Sequence, residues 1–223
     1  MKVINIENLK CECVAYPATE NILYLLLPVH MRVDNLLDIA NHFGTNVVAV
    51  TGIDWNEQLT PWSNPTVIAG EADFGDGAQS FLDTLQSKVL PVCERVLGTT
   101  AARRTLAGVS LAGLFAVWAW EQTDAFADIV SLSGSFWYPG FVEWLSENAK
   151  ERTGRVYLGL GEQEALNTKG VFGTVGTCTE RVADILHNHG AEVESAITPG
   201  NHFAPLLPRI IAALPQASAE ELA

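Results

Sequence analysis

Ser110 stands in the stretch Leu106-Ala107-Gly108-Val109-Ser110-Leu111-Ala112-Gly113-Leu114-Phe115-Ala116. A short apolar run leads in, and a helix-forming run, Leu111 to Trp120, leads out. Small residues lie two before the serine, two after it and three after it. A strand that turns sharply into a helix with one side chain exposed on the bend needs this pattern. The residue two before must leave room for the turn, and the residue two after must let the helix pack close to the strand. The spacing reads as G-x-S-x-G with Ala112 in the second glycine position. Taken alone it also describes an ordinary buried strand-to-helix turn, so its meaning depends on whether an acid and a histidine follow.

The rest of the chain builds a sheet around this unit. Val3 to Ile6 and Cys11 to Tyr16 read as short, antiparallel strands, and Ile22 to Leu27 is a continuous apolar run of the kind buried on both faces. A helix is expected over Asn35 to Phe43, closed by Gly44, and a strand over Val47 to Thr51. Gly52 to Gly77, rich in Pro, Trp, Asn, Asp and Gly, is too long for a simple connector and reads as a functional loop. Helices follow over Gln79 to Leu97 (with Pro91 as a kink), Leu111 to Gln122, Phe141 to Lys150, Cys178 to His189 and Ala204 to Leu214. Strands follow over Thr105 to Val109, Ala127 to Leu132, Val156 to Leu160 and Val193 to Ile197. This alternation predicts an α/β fold, a three-layer sandwich whose mostly parallel central sheet carries helices on both faces. One domain over 1–215 and a frayed tail over 216–223 accommodate the 223 residues.

The formal net charge is −13, which disfavours nucleic acid and anionic membranes as partners. Met1 to Glu7 lacks the apolar core of a signal peptide, and no apolar run reaches the length of a membrane span. Cys11, Cys13, Cys93 and Cys178 show no metal-ligand spacing. They read as reduced thiols, so a cytoplasmic protein without metal is expected. Association with further copies of the chain stays open.

Sites in parallel sheets form beyond the carboxyl ends of the strands. Those ends carry His30, Ser110, Ser133–Ser135, Gly161–Glu164 and His202. A serine hydroxyl is a weak nucleophile at neutral pH; it needs a base within hydrogen-bond reach and a carboxylate to orient that base. The chain order Ser, acid, His is met by Ser110, Glu164 and His202, with Glu162 as the alternative acid. His187 and His189 fall at a helix end, where positive charge suits the dipole; Asp54 and Asp128 would break the order. An oxyanion needs backbone donors: Leu111 N–H, and Val29 or His30 after Pro28, which has no N–H. Trp55, Trp137 and Tyr138 lie in loops on the same side, either as an aromatic wall for substrate or as loop anchors.

With these residues placed, the chain resembles the α/β-hydrolase superfamily, and within it the esterase branch that includes esterase D and the enterochelin (siderophore) esterases. The matching stretches are Asp54 to Trp62, Ala107 to Ala116, Ser131 to Trp137, Leu160 to Glu164 and Gly200 to Phe203. The resemblance implies a serine esterase that needs no cofactor, with Ser110, Glu164 and His202 as its triad. The chain departs from many relatives at Pro28-Val29-His30, where they have His-Gly, and it has no large cap domain. An uncapped site and the lack of a basic cluster favour small neutral carboxylic esters, with thioesters open to the same acyl-enzyme chemistry. An acyltransferase would use the same triad. A non-catalytic relative acting as a binding protein would be expected to lack a triad member.

Overall fold

The computed structural model describes residues 1–28, 36–67, 70–167 and 169–213. Among these, eight strands form one sheet in the order β1-β2-β4-β3-β5-β6-β7-β8. The strands are β1 (Lys2–Ile6), β2 (Leu9–Val14), β3 (Asn21–Leu26), β4 (Asn46–Thr51), β5 (Arg103–Val109), β6 (Asp128–Leu132), β7 (Arg155–Gly161) and β8 (Glu192–Thr198). β1, β2 and β4 pair antiparallel, and from β4 through β3 to β8 every pair is parallel. After β4 the chain crosses back over β3 to lay down β5. The strand order therefore reverses beside β5, the place where α/β sheets open a crevice for ligands.

Alternation along the central strands divides the core in two. Ile22, Tyr24, Leu26, Val48, Val50 and Leu106 face one layer of helices, and Leu23, Leu25, Val47, Ala49, Ala107 and Val109 face the other. The first layer holds α3 (Ala78–Thr84), α4 (Leu90–Leu97), α5 (Leu111–Gln122), α6 (Phe141–Asn148) and α8 (Val175–Asn188); the second holds α1 (Leu36–Phe43) and α9 (Leu206–Ala213). This is the expected three-layer sandwich. α5 is buried from Leu111 to Glu121, as a helix apolar on all sides must be. At ~1.5–3 kcal/mol for each large apolar side chain buried, α5 is firmly anchored, and with it the bend before its first residue.

Two expectations are refined. The Gln79–Leu97 helix does not simply kink at Pro91. It widens into a π-turn over Leu85–Val89, with Leu90 N–H bonded to Leu85 O. Pro91 has no N–H and its ring crowds the preceding turn, so the adjustment falls before the proline. The Gly52–Gly77 segment carries structure of its own: α2 (Trp55–Gln58), capped by Asp54 accepting from Glu57 N–H, and a bridge between Asn64 and Phe74. No helix among the described residues is long and apolar enough to cross a membrane. The expected oxyanion residues Val29 and His30 and the expected tail over 216–223 lie outside the described residues.

Candidate active site

Ser110 sits between β5 and α5 with φ 59° and ψ −123°, a conformation costing a non-glycine residue ~1–3 kcal/mol. The surroundings hold it there. Ser110 N–H donates to Leu132 O at 3.0 Å, and Ser110 O accepts from Gly113 at 3.0 Å and from Leu114 and Ser135 at 3.1 Å. The small residues around it are a steric requirement. A Cβ on Gly108 would stand 2.4 Å from the backbone C and O of Ala112, so the helix can close on the strand only if residue 108 is glycine. Leu111 N–H opens the first turn of α5, where backbone N–H groups have no intrahelical acceptor and the helix dipole favours negative charge.

The acid and histidine loops meet beside this bend. Gln163 N–H donates to Gly200 O at 3.1 Å, and a Cβ on Gly161 would come within 2.9 Å of Gly200 O. The missing side chain at 161 lets the two loops touch. His202 Nδ1 donates to Glu164 Oε2 at 2.7 Å, and Glu164 Oε1 accepts from Ser133 Oγ at 2.5 Å and Gly161 N–H at 3.0 Å. The side chains of His202 and Glu164 are 32% and 11% exposed. Burial pushes the Glu164 carboxyl up, but the hydrogen bonds from His202 and Ser133, the His202 charge and the Gly161 N–H outweigh it and hold the group below its ordinary value. With Nδ1 committed to the carboxylate, Nε2 is the nitrogen left to accept a proton.

Glu162 is exposed and takes only a long hydrogen bond, 3.5 Å, from Gly200 N–H. Of the other acids considered, Asp54 caps α2, and Asp128 is held by the Arg103 guanidinium and by Arg155 N–H at 2.9 Å at the far end of β6. Ser110 Oγ lies 3.2 Å from Ser135 Oγ. No hydrogen bond joins Ser110 to His202 among the described residues. One χ1 rotation redirects a serine hydroxyl, and catalytic hydrogen bonds often tighten only when substrate is bound.

The aromatic residues separate by exposure. Trp55 and Trp137 are half-buried; Trp55 packs against both cores, and the Trp137 ring lies 5.0 Å from Phe172 and 6.3 Å from Phe74. Tyr138 is 1% exposed and its hydroxyl donates to Trp62 O, so in this conformation it anchors a loop instead of lining a surface. Three polar residues of the site carried no assigned role in the sequence: Ser133, Ser135 and Arg209. The first two were visible as a serine pair at a strand end. Arg209, 76 residues from its partner Ser133, left no local signal. Two surface cavities, about 430 and 490 Å³, open at the opposite, amino-terminal edge of the sheet.

The family model described as "Putative esterase" matches residues 30–214. No curated protein matches the sequence. Among solved structures, the chain is similar to an IroE-like serine hydrolase from Shewanella oneidensis, with TM-score 0.77 and 16% identity over 95% of this chain and 77% of that one. It is similar to the siderophore hydrolase EstA from Aspergillus nidulans, with TM-score 0.66 and 16% identity over 92% of this chain and 88% of that one. It is also similar to the enterobactin and salmochelin hydrolase IroE, with TM-score 0.66 and 20% identity over 92% and 88% of the two chains.

Proposed function

The chain belongs to the esterase family whose model spans residues 30–214, and from that membership we propose a serine carboxylesterase that works through an acyl-enzyme on Ser110. The observation that carries this reading is the 2.7 Å hydrogen bond from His202 Nδ1 to Glu164 Oε2 beside the strained Ser110 bend. Family membership makes the protein a hydrolase; the residue roles and the substrate are the proposal.

Ser110 Oγ attacks the ester carbonyl carbon while His202 Nε2 takes its proton. Glu164 keeps the imidazole turned and stabilises its charged form. The oxyanion gathers its charge against Leu111 N–H at the start of α5. His202 then passes the proton to the leaving alcohol, and water, activated by the same nitrogen, releases the acid. No cofactor enters this sequence. Small neutral esters, and thioesters by the same steps, suit an acidic chain without a basic cluster; the half-buried Trp55 and Trp137 are the proposed apolar contacts.

A fluorophosphonate probe tests the reading, with intact mass as the readout. One adduct on the unaltered protein and none on Ser110→Ala is the expected result. No adduct on the unaltered protein, or equal labelling of both, would overturn it.

A further inference from the structure

Behind the acid lies a buried cation. Arg209, on α9, is 3% exposed. Its Nη2 donates to Ser133 Oγ at 2.5 Å, and Ser133 Oγ lies 2.5 Å from Glu164 Oε1. The direction of this chain is fixed by chemistry. A guanidinium can only donate and a hydroxyl has one proton to give, so Ser133 accepts from Arg209 and must donate to Glu164. Ser133 is 1% exposed, and its hydroxyl is engaged on both sides within the protein. Its backbone holds φ 49° and its N–H bonds Gly159 O at 2.6 Å; besides Ser110, it is the site's other non-glycine residue in the left-handed region.

The charges around Arg209 are few. Glu164 and the Tyr157 hydroxyl of β7 are the groups that act on it. Glu194 of β8 acts on Tyr157. Glu162 is exposed at the start of the short helix α7 (Glu162–Ala165) and turned to Gly200. Glu164 is therefore the anion that faces the buried guanidinium; Ser133 and Gly161 bond one of its oxygens and His202 the other.

We propose that Arg209 is a positioning residue that, through Ser133, fixes Glu164 with one oxygen turned to His202 and sets where the acid limb of the activity falls. This rests on the Ser110–Glu164–His202 triad proposed above. With the cation gone, the carboxylate acts on the imidazole uncompensated. The Glu164–His202 pair then holds its proton more tightly, so the acid limb of the activity moves to higher pH. The limb measured belongs to the Glu164–His202 pair and not to either group alone.

The test is the pH dependence of kcat/KM for p-nitrophenyl acetate, with thermal melting of each variant beside it. Arg209→Met should move the acid limb up by about one pH unit. Ser133→Ala, which breaks the relay and leaves the cation, should move it the same way by less. Arg209→Lys, which keeps the charge, should return it towards the unaltered position. If Arg209→Met does not melt cooperatively, Ser133→Ala and Arg209→Lys carry the test. Limbs that stay in place while rates follow only the folded fraction would overturn the proposal and leave Arg209 a packing residue. An unaltered protein with no activity and no probe adduct would instead overturn the triad, so the two failures are distinguishable.

Discussion

Glu162 and Glu164 are two residues apart and chemically identical, yet the fold gives them different partners. Glu164 receives bonds from His202, Ser133 and Gly161, while Glu162 is exposed with one long contact. An orienting carboxylate changed to its amide costs about 10⁴-fold in kcat where the geometry survives, because the base is held in the wrong tautomer. Glu164→Gln is therefore expected to lose activity on that scale, and Glu162→Gln to stay close to the unaltered rate; steady-state kinetics on one ester decides between them, and the reverse pattern would reassign the acid. Gly108 makes a second residue-scale case. A Cβ there meets Ala112 backbone atoms at 2.4 Å, and backbone cannot give as a side-chain end can. Gly108→Ala should destabilise by ~1–3 kcal/mol, seen as a lower urea midpoint at unchanged slope. A midpoint equal to the unaltered one would mean the helix can shift without cost.

The elements show where sequence patterns carry information and where they stop. β3 to β7 were legible because strands buried on both faces must be apolar throughout, and α5 because a helix inside the molecule must be apolar all round. Boundaries were less so. β5 begins at Arg103, two residues before the expected start at Thr105; Arg103 pairs with Asp128 and Arg104 with Glu94, contacts that apolar periodicity does not show. The sharp bend at Ser110 and the meeting of the His202 and Glu164 loops were legible from small-residue spacing and strand-end positions. The Arg209–Ser133–Glu164 relay was not, since it joins α9, the end of β6 and α7 only through the fold. These contacts also set a pH dependence. The folded-state pKa of Glu164 lies below its ordinary 4.5, so its contribution to stability is present above that value and lost as pH falls through the folded pKa. Glu121, inside α5, is raised by burial despite the bond from Lys150 N–H and nearby cations; its contribution is full below 4.5 and fades as pH rises. The two oppose each other in the unaltered protein. Comparing melting temperatures of the unaltered protein and Glu164→Gln from about pH 6 down to pH 2 should show a shallower acid-side decline in the variant. Parallel curves would place the acid sensitivity in other groups.

At the scale of the whole molecule, the net charge bears on how the esters proposed as substrates would approach. A net charge of −13 surrounds the protein with a field that repels anions before any contact forms, and repulsion of this kind acts on the association step. Its range follows the Debye length, about 30 Å at 0.01 M salt and about 3 Å at 1 M. Contacts within the site do not depend on ionic strength in this way, because buried partners are screened much less. Salt therefore separates two reasons for preferring a neutral ester: rejection at a distance by the whole chain, or poor fit beside Ser110. With a p-nitrophenyl acetate and a p-nitrophenyl hemisuccinate, kcat/KM should favour the neutral ester at low salt. The gap should narrow as salt rises, chiefly by recovery of the anionic ester. A gap that is the same at both salt concentrations would move selectivity from the molecule's overall field to contacts near Ser110, with Trp55 and Trp137, the proposed apolar contacts, the first to substitute.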